Sequence, residues 1–172
     1  GNSLNLYRYK EKILELKNLI FFENKFSSPT FHKFPLIISD YIADQCNPNT
    51  INRYEKVFLT RSNSYRDIGN KESVENFFVN NGYKIFNPER LTIEELVTLL
   101  STCSSIGLYW GSGMTNLAYA KFGAKVTTVK SSSYAAESIY IWRNLIDERK
   151  LKLKVVTPFM ENEISLDNLD EC

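Results

Sequence analysis

The sequence predicts an α/β domain built on a parallel sheet with helices on both faces, and three observations carry that prediction. Short β-rich runs alternate with helical stretches of ten or so residues from residue 56 onward, the pattern of βαβ units. Stop and start signals fall between them: Gly82 and Gly123 stand just past two helical stretches, and Thr92 is followed three residues on by Glu95, a capping-box arrangement. The 172 residues, 43% hydrophobic and 24% charged, suit one globular domain of ordinary composition.

The elements follow in order. Residues from about Leu4 to Phe22 read as a helix, because Leu6, Tyr9, Ile13, Leu16 and Leu19 recur at three- and four-residue steps between charged neighbours. The stretch Glu23 to Pro35 is rich in Asn, Ser and Pro and reads as a connection, and the apolar run Leu36 to Ser39 as a short strand. Lys56 to Thr60 is the first clear strand, followed by a helix from Asn70 to Asn80 with Val74, Phe77 and Phe78 on one face. Tyr83 to Phe86 is the second strand, and Pro88 ends it. Thr92 opens a helix whose inner stripe is Ile93, Leu96, Val97 and Leu100. Ile106 to Trp110 forms the third strand, a glycine turn leads into a helix from Thr115 to Phe122, and Lys125 to Val129 forms the fourth. A helix from about Ala135 to Glu148, with Ile139, Trp142 and Ile146 inward, precedes a last strand at Leu153 to Val156. The expected organisation is an N-terminal helix and linker over 1–55, the α/β domain over 56–160, and an acidic, frayed tail over 161–172.

Charge and composition narrow the function classes. A net charge of +1 lacks the basic excess of a nucleic-acid-binding protein. No apolar run reaches the roughly 18 residues needed to span a bilayer. The opening residues lack the basic start and apolar core of a signal peptide, so a cytoplasmic location is expected, and Gly1 in place of Met points to a processed start or an excised piece. Cys46, Cys103 and Cys172 form no C-x-x-C pair and read as free thiols. His32 is the single histidine; among Phe31, Lys33 and Phe34 it reads as a packed or solvent-edge residue, and alone it cannot make a two-histidine metal site.

Two places carry chemistry. After the third strand, Gly111-Ser112-Gly113-Met114-Thr115-Asn116 turns tightly into a helix. Gly111 and Gly113 are expected to take positive φ, and the bare backbone there would present amides to an anion at a helix N-terminus. Ser112, Thr115 and Asn116 add polar donors, and a pyrophosphate fits such a site. The turn is neither a full G-x-G-x-x-G fingerprint nor a Gly-Lys-Ser/Thr phosphate loop, and by itself it reads equally as a strand-to-helix connection capped by Thr115 or Ser112. The second place is Arg61 at the end of the first clear strand, with Arg66 and Asn70 beyond it. Strand ends of a parallel sheet share one rim, where two guanidinium groups can grip a diphosphate. Alone, this stretch also reads as a solvated loop with Asn70 as an N-cap.

Together these residues carry a resemblance. The run Val57 to Arg61, then Arg66, Asn70, Glu75, Gly82-Tyr83-Lys84-Ile85, Asn87-Pro88-Glu89, Leu91-Thr92 and Gly111 to Leu117 resembles the family-61 glycosyltransferases, in order and spacing, over roughly residues 56 to 130. The resemblance implies a Rossmann-like lobe, the C-terminal donor-binding half of a two-lobed enzyme. It implies a nucleoside diphosphate sugar as donor substrate, inverting transfer to a glycan acceptor, and a role in capsule or other surface polysaccharide synthesis. On it, Arg61, Arg66, Asn70, Gly111, Ser112, Gly113, Met114, Thr115 and Asn116 bind the donor diphosphate. Where the family often has histidine before the turn, this chain has Trp110, which cannot shuttle a proton; its alanine is Ser112, and the glutamate that often ends the next strand is replaced within Thr127 to Lys130.

The sequence has no Asp-x-Asp motif, so neither metal nor other cofactor is expected in donor binding. Two lobes need about two domains and 172 residues hold one, so the expectation includes an N-terminal lobe supplied elsewhere or a homo-oligomer. The competing functions are a catalytically inactive single-lobe interaction module of the same fold, and an unrelated α/β enzyme acting on a phosphorylated small molecule.

Overall fold

All five strands in the computed structural model fall where strands were predicted from the sequence. The structure describes residues 33–46, 52–62, 69–131 and 142–157. The strands are β1 (Lys56–Leu59), β2 (Lys84–Phe86), β3 (Ser105–Tyr109), β4 (Lys125–Val129) and β5 (Lys152–Val156). They form one sheet in the order β2-β1-β3-β4-β5, and every neighbouring pair is parallel. The expected α/β, Rossmann-like class is therefore the observed one.

Helices cover both faces. On one side α2 (Lys71–Asn80) seats Val74 and Phe78 against Phe58, Tyr109, Val129 and Val156. On the other, α1 (Lys33–Gln45), α3 (Ile93–Thr102), a 3₁₀ helix (Ser112–Tyr119) and α4 (Arg143–Glu148) contribute Leu36, Leu99, Met114, Leu117 and Leu145 to a second, larger core with Val57, Ile106, Leu108 and Val126. Successive strand residues serve opposite cores, as a two-sided sheet requires. Gly107 is the exception in size: a Cβ there would stand 2.4 Å from the Phe58 ring and 2.9 Å from that of Phe78. Its bare backbone makes room for the tilted pair Phe58–Phe78, whose centroids are 4.4 Å apart and whose planes meet at 38°.

Several expectations are corrected. Leu36 to Ser39 is helix, not strand. A four-residue apolar run has no period of its own, and Pro35 sits in the first turn of α1, where a missing N–H costs nothing. Leu36 and Ser39, three residues apart, face the core. The helix expected over Thr115 to Phe122 starts earlier and winds as 3₁₀. Its buried residues are Met114, Leu117 and Ala118, and Met114 and Leu117 stand three positions apart, one turn of such a helix. Ile93, placed on the inner stripe of α3, is 54% exposed, while Thr98 and Leu99 go inward. The capping box is present as read: Glu95 N donates to Thr92 Oγ1 at 3.2 Å and Thr92 N to Glu95 Oε2 at 2.8 Å. Trp142 packs in the core, and Cys46 and Cys103 are free thiols. The expected helix over Leu4 to Phe22, His32, Ile139 and Cys172 lie outside the described residues. No helix among the described residues is long and apolar enough to cross a membrane.

Candidate functional site

The strand order reverses at β1. The chain leaves β1 through α2 on one face and leaves β3, its neighbour, through the 3₁₀ helix on the other. The two connections diverge and open a crevice at the carboxyl ends of β1 and β3, the position where ligands bind in open parallel sheets. Backbone bonds continue the sheet one residue past the strands and line up this rim: Thr60 N to Phe86 O at 2.8 Å, Trp110 N to Val129 O at 2.9 Å and Lys130 N to Val156 O at 2.8 Å.

Arg61 lies on this rim, half-buried. Its Nη1 donates to the Trp110 carbonyl at 3.4 Å, and its guanidinium carbon sits 5.3 Å from the Tyr109 ring centroid. The end of the first strand thus touches the residue that leads into the glycine turn. Asn70 occupies the N-cap position of α2, but its side chain makes no capping bond. Arg66 lies outside the described residues.

The turn itself departs from the expected geometry at one glycine. Gly111 has φ 139°, in the region that favours glycine; Gly113 has no positive φ and lies within the 3₁₀ helix. The space beside Gly113 is open, since a Cβ there would meet nothing within 4 Å. Met114 is fully buried in the larger core, and its amide donates to the Gly111 carbonyl at 3.0 Å. Its side chain anchors the turn and faces away from the crevice. Thr115 does not cap the helix; its Oγ1 donates to the Ser112 carbonyl at 2.7 Å. Asn116 is half-buried and Ser112 exposed. The amides of Ser112 and Gly113 precede the first internal bond of the helix, so they form its open N-terminal turn.

The structure adds residues that sequence reasoning left unassigned. Lys71, the first residue of α2, donates from Nζ to the Arg61 carbonyl at 2.6 Å and lies 5.9 Å from the Tyr109 ring centroid. One turn on, Glu75 accepts from the Thr60 hydroxyl at 2.5 Å and from the Tyr109 hydroxyl at 3.2 Å. A carboxylate holding two hydroxyls and a lysine holding a carbonyl fix the end of β1 against α2 and β3. Ser62 donates to Glu89 at 2.5 Å and lies 3.5 Å from Asn87 Nδ2, tying the same segment to the end of β2. Lys130, after β4, places Nζ 5.7 Å from the Trp110 ring centroid. The signal for Lys71 and Glu75 was positional: they occupy the first two turns of the helix that leaves β1, four residues apart on one face. Trp110 and Tyr109 are core residues, 2% and 4% exposed, so neither offers a free ring face to a base or sugar.

The arrangement places three cations, Arg61, Lys71 and Lys130, and an open turn of amides near one crevice, a setting suited to the phosphates of a charged ligand. A search among curated proteins returns no significant match. The family model described as Glycosyltransferase 61 matches residues 6–127, beginning well before the stretch in which the resemblance was legible and spanning most of the chain. The chain belongs to glycosyltransferase family 61.

Proposed function

We propose that the crevice between the ends of β1 and β3 binds the diphosphate of a nucleoside diphosphate sugar, and that the protein transfers that sugar to a glycan acceptor in surface polysaccharide synthesis on the cytoplasmic side. The observation that carries this reading is the contact of Arg61 with the Trp110 carbonyl, which holds a permanent cation at the mouth of the glycine turn. In the transfer, the bond between the anomeric carbon and the diphosphate oxygen breaks, its electron pair staying with the diphosphate, while the acceptor hydroxyl oxygen bonds to that carbon and its proton passes to solvent. Negative charge grows on the departing diphosphate. Arg61, with Lys71 and Lys130 beside it and the amides of Ser112 and Gly113, stabilises that charge where it develops. Glu75, through Thr60 and Tyr109, keeps the cationic segment in place.

Calorimetric titration with a panel of nucleoside diphosphates tests this. Saturable heat is expected for at least one base, and Arg61→Ala weakens that affinity by about 1.5–3 kcal/mol, the range for a hydrogen bond to a charged group. Unchanged affinity in Arg61→Ala would remove the arginine from the site. Absence of heat with every nucleotide would favour an interaction module that keeps the fold without the chemistry.

A further inference from the structure

The opposite end of the sheet carries a different kind of surface. Lysine is the first residue of four of the five strands, Lys56, Lys84, Lys125 and Lys152. Lys56, Ser105, Lys125 and Lys152 stand in register across β1, β3, β4 and β5, a row that spans about 14 Å at ordinary strand spacing. Beside the row, Phe122 is 66% exposed, flanked by exposed Lys121. The Phe122 loop is pinned to the same end, because Gly123 N donates to Arg149 O and Lys152 N to Ala124 O. Among the described residues, Glu55 lines the cleft with these lysines, and Asp147 and Glu148 stand in the last turn of α4.

Four of the described helices end at this side of the sheet, none with a basic residue in its last turn, so their negative ends offset part of the lysine charge. The lysines sit at strand starts. One of them, Lys56, does reach the Asn81 carbonyl past α2, at 3.2 Å. The cleft among Lys56, Lys125, Lys152, Asn81 and Tyr83 holds about 390 Å³, but Glu55 also lines it and opposes a discrete anion. A broad cationic row with one large aromatic side chain projecting beside it matches an anionic bilayer surface: lysines meet headgroup phosphates and the ring enters the interface.

We propose that the amino-terminal end of the sheet docks on an anionic membrane surface, leaving the β1–β3 crevice facing solution. The test is co-sedimentation of the full chain with vesicles of phosphatidylcholine alone or mixed with phosphatidylglycerol. Binding is expected only to the mixed vesicles, and high salt should release it. The double variant Lys125→Glu, Lys152→Glu should lower partitioning by about tenfold or more, at roughly fivefold per lysine near an anionic surface. Both positions are exposed, and an unchanged circular dichroism spectrum would establish the variant's fold. In Phe122→Trp, indole emission should shift to the blue with mixed vesicles only. No sedimentation, equal binding to neutral vesicles, an unmoved indole emission, full-strength binding by the folded double variant, or complete release by inorganic phosphate at constant ionic strength would each overturn the proposal.

Discussion

Single residues decide how closely the layers approach. Gly107 lies where the ring of Phe58 fills the place of a side chain, so Gly107→Ala should cost about 1–3 kcal/mol, the usual penalty of overpacking; urea denaturation would show it as a lower midpoint, and an unchanged midpoint would mean the aromatic pair moves aside freely. Cys103 is buried at the end of α3, and that burial pushes its thiol up from 9.0 to about 12, against the pull of a backbone hydrogen bond and of Lys121. An unfolded thiol ionises near 9 while the native one keeps its proton, so between those values the unfolded chain binds fewer protons. Stability from this group is complete below about pH 9 and falls as pH rises, by at most about 1.4 kcal/mol per unit. Cys103→Ala should therefore show a shallower loss of stability between about pH 9 and pH 11 than the parent; equal slopes would contradict the burial account. At this scale the sequence was a partial guide. Gly111 and Gly113 look alike on paper, but only Gly111 takes positive φ, because the 3₁₀ helix already includes Gly113. The rim contacts of Lys71 and Glu75 join residues 10 to 34 positions apart, and no local pattern encodes such partners.

At the scale of elements, caps and breakers did most of the specifying. The Thr92–Glu95 box starts α3 as read, since both reciprocal bonds form. Thr92→Ala should destabilise the fold by about 0.5–2 kcal/mol, and Thr92→Ser should restore most of it, as thermal unfolding would record; an alanine as stable as the parent would mean that tertiary packing alone sets the helix start. Strands bounded by Gly82, Pro88, Gly111 and Gly123 were legible because turn chemistry marks their ends and apolar runs mark their middles. The misread elements lack one of those marks. Leu36 to Ser39 is too short to show its period, and the 3₁₀ helix repeats every three residues where a 3.6-residue stripe was sought. Ile93 matches the α3 stripe in spacing, but it stands at the helix start beyond the reach of the sheet.

For the whole molecule, topology does what no single motif can. The order β2-β1-β3-β4-β5 sets the end of β1 beside the glycine turn, across 49 residues of sequence, and sends their helices to opposite faces. The same order gathers lysines at the far end, so the molecule has two chemically distinct poles. The resemblance was visible in the sequence between residues 56 and 130, whereas the family match reaches back to residue 6, into segments whose apolar spacing alone resembles many helices. Amide chemical shifts read during titration with a nucleoside diphosphate test the crevice most directly. Gly111, Ser112 and Gly113 should shift in a saturable manner while Gly82 and Gly123, at the lysine pole, stay still; saturable shifts at Gly82 and Gly123 with a silent Gly111 to Gly113 turn would contradict the account.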